Sequence, residues 1–321
     1  MDRFEDLQTF ILVAEHRSIR KAADLLNRAP SAVSRRVKDL EQRLEVQLLT
    51  RTTRQVRLTP AGERFLEKAR KIIEALEEAE ASATADSHSI SGELRITVPL
   101  SFGIKHLAPA ISDFMTDNPR LKIDADFNDT EINITSNRID LAIRIGYLKD
   151  STLRAKKLAP IHHVVAAAPS FWKKHGIPRK PSDLTGLPGL CYSNSSMGNS
   201  WSWSNDRGES GKVVIEPRYR ASNGEALVHA ATMGFGVVRL PTFLLATAIE
   251  AQALQPVLLP VNWGVAGLYA LYADTAFLPS RSRSFIDFLG NRFGDKPDWD
   301  ECLRKHLKRV NNASPIKMLG S

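Results

Sequence analysis

The chain has 321 residues, of which 43% are hydrophobic, and a formal net charge of +8. This length can bury a full core and predicts about two domains, while no apolar run approaches the roughly 18 residues of a membrane-spanning helix. The amino-terminal segment MDRFEDLQTF has neither the basic region nor the unbroken apolar stretch of a secretion signal, and two distant cysteines, Cys191 and Cys302, indicate reduced thiols in a cytoplasm.

Three helices are predicted at the amino end, with a characteristic turn between the second and the third. Apolar residues at intervals of three and four predict an amphipathic helix over residues 4–16. A second helix is predicted over residues 19–26 and a third over residues 31–44. Between them, Asn27 can end one helix and Pro30 fits the first turn of the next. Two helices that meet at such a turn form a helix-turn-helix.

The third helix has two distinct faces. Val33, Val37 and Leu40 recur at helical spacing and predict an apolar stripe that packs inward. The opposite face carries short hydroxyls and cations, which suit a helix lying in the major groove of DNA. The candidate contacts are Ser31, Ser34, Arg35, Arg36 and Lys38.

Charge supports the same interpretation. Residues 17–57 contain eleven Lys and Arg but four Asp and Glu, so this segment holds nearly the whole positive surplus of the chain. Binding to phosphates requires such a concentration of charge. The alternative is a solvated basic hairpin of no special purpose, and the segregation of the cations on one face favours DNA.

A two-stranded wing and a long helix are predicted next. The wing begins near Leu48, and Arg51 and Arg54 would reach phosphates or a minor groove from it. The helix covers residues 60–85, with Thr59 as its N-cap. Its apolar residues repeat at four and three, as in a coiled-coil seam, and predict homodimerisation. They are Phe65, Ala69, Ile72, Leu76, Ala79 and Ala83. The alternative is a helix packed on its own domain.

A polar linker over residues 85–92 is the predicted domain boundary. Beyond it, strands alternate with helices, which predicts an α/β fold with a parallel sheet in two similar lobes. The predicted strands cover residues 94–98, 121–127, 140–145, 164–168, 218–221, 236–240 and 268–272. Ligands in open sheets bind outside the carboxyl ends of the strands, so we expect a cleft between the lobes.

Three strand ends would meet at this cleft, at Ser101, Gly146 and Asn223-Gly224. Ser101 stands at a helix N-terminus, where its hydroxyl and the helix dipole could hold an anion such as a carboxylate. A plain N-cap is the simpler reading of this serine. Trp201 and Trp203 would either line the cleft or fill the core of the second lobe.

No catalytic motif emerges from the sequence. The chain has no G-x-S-x-G, no P-loop and no G-x-G-x-x-G, and its Cys and His are not clustered at metal-ligand spacing. We therefore predict no enzyme activity, no cofactor and no metal. The carboxyl-terminal tail, which contains DWDECLRKHLKRV, is read as a solvated extra helix, with an auxiliary contact to DNA or a partner as the alternative.

These segments together resemble the LysR-type transcriptional regulators over about nine tenths of the chain. Residues 4–66 resemble the DNA reader of that family, in SIRKAADLLNRAPSAVSRRVKDLEQRL and LLTRTTRQVRLTPAG. Residues 91–160 and 223–241 resemble the effector domain of its CrgA-like branch, in SGELRITVPLSFG, DLAIRIG and NGEALVHAATMGFGVVRLP. The resemblance implies a winged helix-turn-helix, a linker helix for dimerisation and an effector domain like periplasmic binding proteins, over residues 1–59, 60–90 and 91–294. Residues 295–321 form a carboxyl-terminal extension that has no counterpart in the family.

The resemblance also assigns residues to roles. It implies DNA-reading positions at Pro30, Ser31, Ser34, Arg35 and Arg36, and wing contacts at Arg51 and Arg54. It implies effector contacts at Ser101, Phe102, Ile145, Gly146, Asn223 and Gly224. One departure is Glu45, which stands where the family usually has glycine, so the end of the third helix is expected to be strained or shaped differently.

The sequence thus predicts a cytoplasmic, sequence-specific regulator whose DNA geometry is switched by a small effector, acting as a dimer or tetramer. RNA polymerase would be a partner if the protein activates transcription. One alternative is a constitutive DNA-binding repressor without an effector. Another is a solute-binding protein that uses the α/β region alone, which leaves the basic reader unexplained.

Overall fold

The helix-turn-helix region and the α/β region are two compact units in the computed structural model, residues 1–89 and 90–321. The structure describes residues 2–51, 56–83, 90–129, 139–147, 153–194, 198–273 and 278–313. Within these ranges, none of the helices has the length and apolarity needed to cross a membrane. Nor do the described residues bring together three side chains that could hold a metal ion.

The amino-terminal unit contains four helices and a two-stranded wing. Its elements are α1 (Arg3–His16), α2 (Ile19–Leu25), α3 (Pro30–Leu44), β1 (Leu49–Arg51), β2 (Val56–Leu58) and α4 (Pro60–Ala83). Asn27 adopts a left-handed backbone with φ of 52°, and the Arg28 N–H donates to the Ala23 carbonyl over 2.9 Å. This pairing satisfies the last carbonyls of α2 and turns the chain toward α3. The predicted helix-turn-helix is confirmed.

The long helix α4 begins as predicted but uses its apolar residues in two ways. Thr59 caps it, since the Gly62 N–H donates to the Thr59 hydroxyl over 2.9 Å. Ala69 is fully buried in a cluster with Leu7 of α1, so this part of the predicted seam packs inside the unit, as the alternative reading expected. Ile72 is 47% exposed. The apolar surface that remains for a partner helix therefore includes Ile72.

The carboxyl-terminal unit is built on one mixed sheet. The strands of the unit are β3 (Ser91–Val98), β4 (Arg120–Phe127), β5 (Leu141–Gly146), β6 (Leu153–Ala167), β7 (Pro188–Tyr192), β8 (Ser200–Ser204), β9 (Ser210–Val214), β10 (Glu216–Ala221), β11 (Val237–Pro241), β12 (Gln255–Val257) and β13 (Val265–Ala273). Of these, β8 and β9 form a separate antiparallel pair. The sheet has the order β10-β7-β11-β6-β13-β5-β3-β4, with β12 also on β6. The α/β class is confirmed, but the parallel sheet is wrong, because β13 runs antiparallel to both β5 and β6.

Helices cover this sheet and continue past it to the carboxyl end. They are α5 (Leu100–Phe102), a π-helical turn (Gly103–Leu107), α6 (Ala108–Asp117), α7 (Pro169–His175), α8 (Gly224–Thr232), α9 (Thr242–Glu250), α10 (Ser280–Phe293), a 3-10 turn (Asp298–Asp300) and α11 (Glu301–Ala313). The predicted extra helix at the carboxyl end is present as α11, but the segment is not simply solvated, because Trp299 and Cys302 are buried in the main core.

The two lobes share the strand β6. Up to His162, β6 pairs with β13 of the first lobe, where His162 lies opposite Val265. From His163 onward it pairs with β11 of the second lobe, where His163 lies opposite Pro241. The first lobe thus contains β3, β4, β5 and β13, and the second contains β7, β10 and β11. Residues 162 and 163 form one crossover between the lobes.

The tryptophan pair belongs to the second lobe. Trp201 is 4% exposed and lies in a cluster with Trp172 and Trp263, and Trp203 packs against the same cluster. Of the two readings left open for SWSWS, the core reading holds.

Candidate DNA-binding surface and interlobe site

The predicted DNA-reading face lies on the exposed side of α3. Ser31, Arg35 and Lys38 are exposed and Ser34 is half-buried, while Val33 and Val37 face the core. Pro30 is the first helical residue, and the preceding Ala29 provides no side-chain cap. The positive end of the helix dipole is therefore open beside the Ser31 hydroxyl, which favours an anion such as a phosphate.

Arg36 differs from its neighbour Arg35, because it is tied to α1. Its Nη1 lies 2.6 Å from Oε2 of Glu5, and its Nε lies 3.9 Å from Oδ1 of Asp6. Asp6 is buried, with 5% of its surface exposed, so its charge needs a partner inside the unit. Arg36 thus positions α3 against α1 through these carboxylates.

The same two acids hold further cations of the basic segment. Arg28 Nη2 lies 2.7 Å from Oε1 of Glu5, and Arg43 Nη2 lies 3.3 Å from Oδ2 of Asp6. The sequence reasoning did not identify this network. Two acids in the first turns of a helix that precedes a basic helix-turn-helix are the signal that could have indicated it.

A carboxylate joins α3 to the wing. The Glu41 Oε1 accepts from the N–H groups of Leu48 and Leu49, each over 2.8 Å. These bonds fix where β1 begins relative to α3. Arg51 is the last residue of β1 and pairs with Val56, but Arg54 and the side chain of Arg51 lie outside the described part of the structure.

In the carboxyl-terminal unit, the structure brings two predicted site residues from different lobes together. The Asn223 Nδ2 donates to the Ser101 hydroxyl over 3.5 Å, and Asn223 also caps α8, since its Oδ1 accepts from the Glu225 N–H over 2.9 Å. Beside them, the Lys105 ammonium pairs with the Glu225 carboxylate at 2.8 Å. Polar contacts therefore cross between the lobes at the N-termini of α5 and α8.

Two charged residues that the sequence reasoning missed lie near Ser101. The Leu100 N–H donates to Oδ1 of Asp129 over 3.0 Å, so Asp129 takes the donor that a bound carboxylate would use. Arg144 Nη2 donates to the buried Thr97 hydroxyl over 2.8 Å. Burial lowers the pKa of Arg144, and the carboxylates of Asp129 and Asp126 oppose that shift.

Phe102, expected to touch an effector, lies in the core. Its side chain is 0% exposed, and its ring centroid is 5.1 Å from that of Phe243 and 5.2 Å from that of Trp299. An aromatic ring packed on several sides by other rings presents no face to a ligand. The expectation that this side chain contacts an effector is therefore corrected.

The other predicted positions have mainly backbone roles. A Cβ on Gly224 would lie 2.4 Å from Cδ1 of Leu244, so only glycine lets α8 pack this closely on α9. Gly146 is half-buried at the end of β5, opposite Gly267. Ile145 packs against the core and is partly exposed.

A half-buried cation, Arg239, lies beyond Gly146 and was also missed. The Arg239 Nε donates to the Trp263 carbonyl over 2.7 Å, and burial lowers the pKa of Arg239, opposed by a hydrogen bond with the Tyr147 side chain. His163 lies close by, and burial together with the charge of Arg239 lowers its pKa to about 3. The arginine within the apolar strand GVVRLP was the available sequence signal.

A basic winged helix-turn-helix joined to a two-lobed α/β domain defines a DNA-binding transcriptional regulator with a regulatory domain. Comparison with protein families agrees with this architecture. Residues 4–63 match the bacterial regulatory helix-turn-helix proteins of the lysR family, and residues 87–294 match the LysR substrate binding domain. The chain belongs to the LysR family of transcriptional regulators.

Similar proteins cover nearly the whole chain. An uncharacterised HTH-type transcriptional regulator of Haemophilus influenzae is 34% identical over 87% of this chain and 96% of its own length. The HTH-type transcriptional regulator CrgA of Neisseria meningitidis serogroup C is 33% identical over 91% of this chain and 97% of its own. The solved structure of CrgA matches with a TM-score of 0.58 and 32% identity, over 91% of this chain and 99% of that one.

Proposed function

We propose that the protein reads a specific DNA sequence with the exposed face of α3, through Ser31, Ser34, Arg35 and Lys38. The observation that carries this proposal is the segregation of α3 into a buried apolar stripe and an exposed cationic face. Arg36 acts as a positioning residue because its charge is already paired with Glu5. Pro30 places the N-terminus of the helix toward DNA, and Arg51 and Arg54 of the wing contact the flanking backbone.

The full assembly in this proposal is a dimer formed through α4, doubled into a tetramer on DNA, which acts in the cytoplasm. Exposed Ile72 supports the α4 interface. Two linked readers bind two half-sites, which raises affinity without any new contact. RNA polymerase is the further partner if the protein activates transcription.

The effector in this proposal binds at the interlobe site, beside Ser101, Asn223, Gly146 and the adjoining backbone of Ile145 and Gly224. A small molecule that bridges the lobes would favour one lobe angle by its differential affinity and so change how the readers sit on DNA. Asp129 occupies the Leu100 N–H. For a carboxylate effector, the half-buried guanidinium of Arg239 is therefore a better counterion than the α5 N-terminus.

Arg35→Ala tests the DNA-reading assignment. Fluorescence anisotropy would compare binding to the upstream intergenic DNA with binding to a scrambled duplex of equal length, at several salt concentrations. If Arg35 reads a base, the preference for the specific duplex should fall by about 1–3 kcal/mol. Arg207→Ala, at an exposed arginine of the regulatory unit, is the matched control and should leave both affinities unchanged.

The two possible failures have different meanings. An equal loss on both duplexes would make Arg35 a phosphate contact rather than a base contact. Unchanged binding on both would remove Arg35 from the interface. If the wild-type protein binds no upstream fragment even at low salt, the proposed function itself is wrong.

A further inference from the structure

The chain beyond the matched family region is part of the folded core. The LysR substrate binding domain match ends at residue 294, but the 3-10 turn and α11 follow it at residues 298–313. Within this segment, which we name the carboxyl-terminal strap, Trp299 is 5% and Cys302 is 2% exposed. Burial of these side chains requires the strap to pack on the rest of the unit.

Trp299 joins an aromatic cluster formed by parts of both lobes. Its ring centroid lies 5.2 Å from that of Phe102 and 5.5 Å from that of Phe293, and both phenylalanines flank the sheet of the first lobe. Phe102 also contacts Phe243 of α9 at 5.1 Å. Since α9 directly follows β11 and packs on α8, the cluster joins the first lobe to a helix of the second.

Asp300 adds a polar bridge at the crossover. Its Oδ2 lies 2.7 Å from Nδ1 of His162, the residue at which β6 leaves β13. Its Oδ1 accepts from the hydroxyl of Thr242, which is fully buried at the start of α9. One carboxylate is therefore bonded both to the crossover strand and to the helix that follows the second lobe's strand.

The strap also follows α9 to its far end. The Lys305 ammonium of α11 lies 3.0 Å from Oε1 of Glu250, the last residue of α9. Together with Asp300 and Thr242, this contact holds α9 at both of its ends. A rotation of one lobe relative to the other would move α9 against the first lobe, so it must break these contacts or withdraw Trp299 from its cluster.

We propose that the carboxyl-terminal strap fixes the angle between the two lobes through Trp299 and the Asp300 bridge, and so limits the conformations that an effector can select. The strap differs from the interlobe site, because none of its residues lies among the proposed effector contacts. Its effect on the lobe angle exists without effector or DNA. It can therefore be tested independently of the proposed function.

The test measures the distance between the lobes in the full-length protein. Nitroxide labels would be placed at Asp117→Cys on α6 and Lys212→Cys on β9, both exposed positions, while both native cysteines are buried. Pulsed electron paramagnetic resonance measures the distance distribution between the two labels. Dilution with unlabelled protein restricts the measurement to labels within one chain. No effector or DNA is added.

Asp300→Asn removes the charge that faces His162 with almost no change of shape, and Thr242→Val removes the hydroxyl from the same bridge. We expect the single distance population of the parent protein to be lost in both variants, with a second population appearing. Glu301→Gln is the matched control: it removes a carboxylate from the next residue, one that pairs with Arg304 within α11, and should leave the distribution unchanged.

The distance distribution of a variant is interpreted only if its circular dichroism spectrum matches that of the parent protein. If Asp300→Asn fails this criterion, Thr242→Val still tests the same bridge. A single unchanged population in either folded variant would overturn the proposal. So would an equal broadening in Glu301→Gln. A failure of the protein to bind DNA would leave this result unaffected.

Discussion

Glu45→Gly should stabilise the end of α3. Glu45 has φ of 52° and ψ of 30°, and the Val46 N–H donates to the Glu41 carbonyl over 3.2 Å, which is the bonding of a Schellman turn. The left-handed conformation costs a residue with a Cβ about 1–2 kcal/mol of steric strain. Glycine avoids that strain, but the conformational entropy that it loses on folding costs about 0.5–1 kcal/mol more. The difference predicts a gain of about 0.5–1 kcal/mol.

The carboxylate adds a further contribution of the same sign. A negative charge at a helix C-terminus is unfavourable by about 0.3–1 kcal/mol. Glu45→Gln removes this charge and keeps the left-handed backbone, so it separates the electrostatic part from the conformational part. Gln42→Gly, within the helix, is the second control, because glycine there should destabilise α3 by about 1 kcal/mol.

Hydrogen exchange followed by mass spectrometry is the suitable assay. Residues 1–89 contain no Trp or Tyr, so intrinsic fluorescence does not report on this unit. A gain of about 1 kcal/mol slows exchange through local opening about fivefold in peptides that cover residues 30–50. If Glu45→Gly exchanges as fast as Glu45→Gln, or as fast as Gln42→Gly, the conformational reasoning is refuted.

Two further predictions concern the regulatory unit. Ser101→Phe should abolish the change in DNA footprint produced by an active metabolite while DNA affinity stays intact, and an unchanged footprint response would remove Ser101 from the effector site. Burial lowers the pKa of His163 to about 3 and that of His106 to about 4, so the folded state keeps both neutral and its stability should fall as the pH drops below about 6.5. The loss should approach about 1.4 kcal/mol per pH unit for each histidine. The Asp300 hydrogen bond raises the pKa of His162, which stabilises the fold at low pH and offsets part of the loss. In urea unfolding, the free energy of unfolding should fall less between pH 7.5 and pH 5 for His163→Asn than for the parent protein. An equal fall in both proteins would show that His163 is not a source of the pH dependence.

The amino-terminal unit was predictable from the sequence because its determinants are local. The spacing of Val33, Val37 and Leu40 fixes which face of α3 is buried, and Asn27 supplies the left-handed residue that ends α2. Each of these signals lies within a few residues of the structure it determines. Even the departure at Glu45 was visible, although the sequence left open whether the turn would be strained or reshaped.

The sheet of the regulatory unit was less predictable because its pairing is not local. β6 contains Pro160, which argues against a long strand when read from sequence, yet Pro160 lies opposite Gly267 in β13. Among the predicted effector contacts, the position of Phe102 was unpredictable for the same reason. Its partners Phe243 and Trp299 lie far along the chain, so no window around Phe102 could indicate that its ring is enclosed.

The positive charge that the helix-turn-helix presents to DNA depends on which cations are paired within the protein, and not only on the number of cations. Of the eleven cations in residues 17–57, Arg28, Arg36 and Arg43 pair with Glu5 and Asp6, which lie outside that segment. The surplus directed at DNA is therefore smaller than the composition indicates. Because the pairs of Arg36 and Arg43 hold α3 on α1, they fix the direction of the exposed face. The ion-pair network therefore orients α3, and Arg35 and Lys38 provide positive charge on its exposed face.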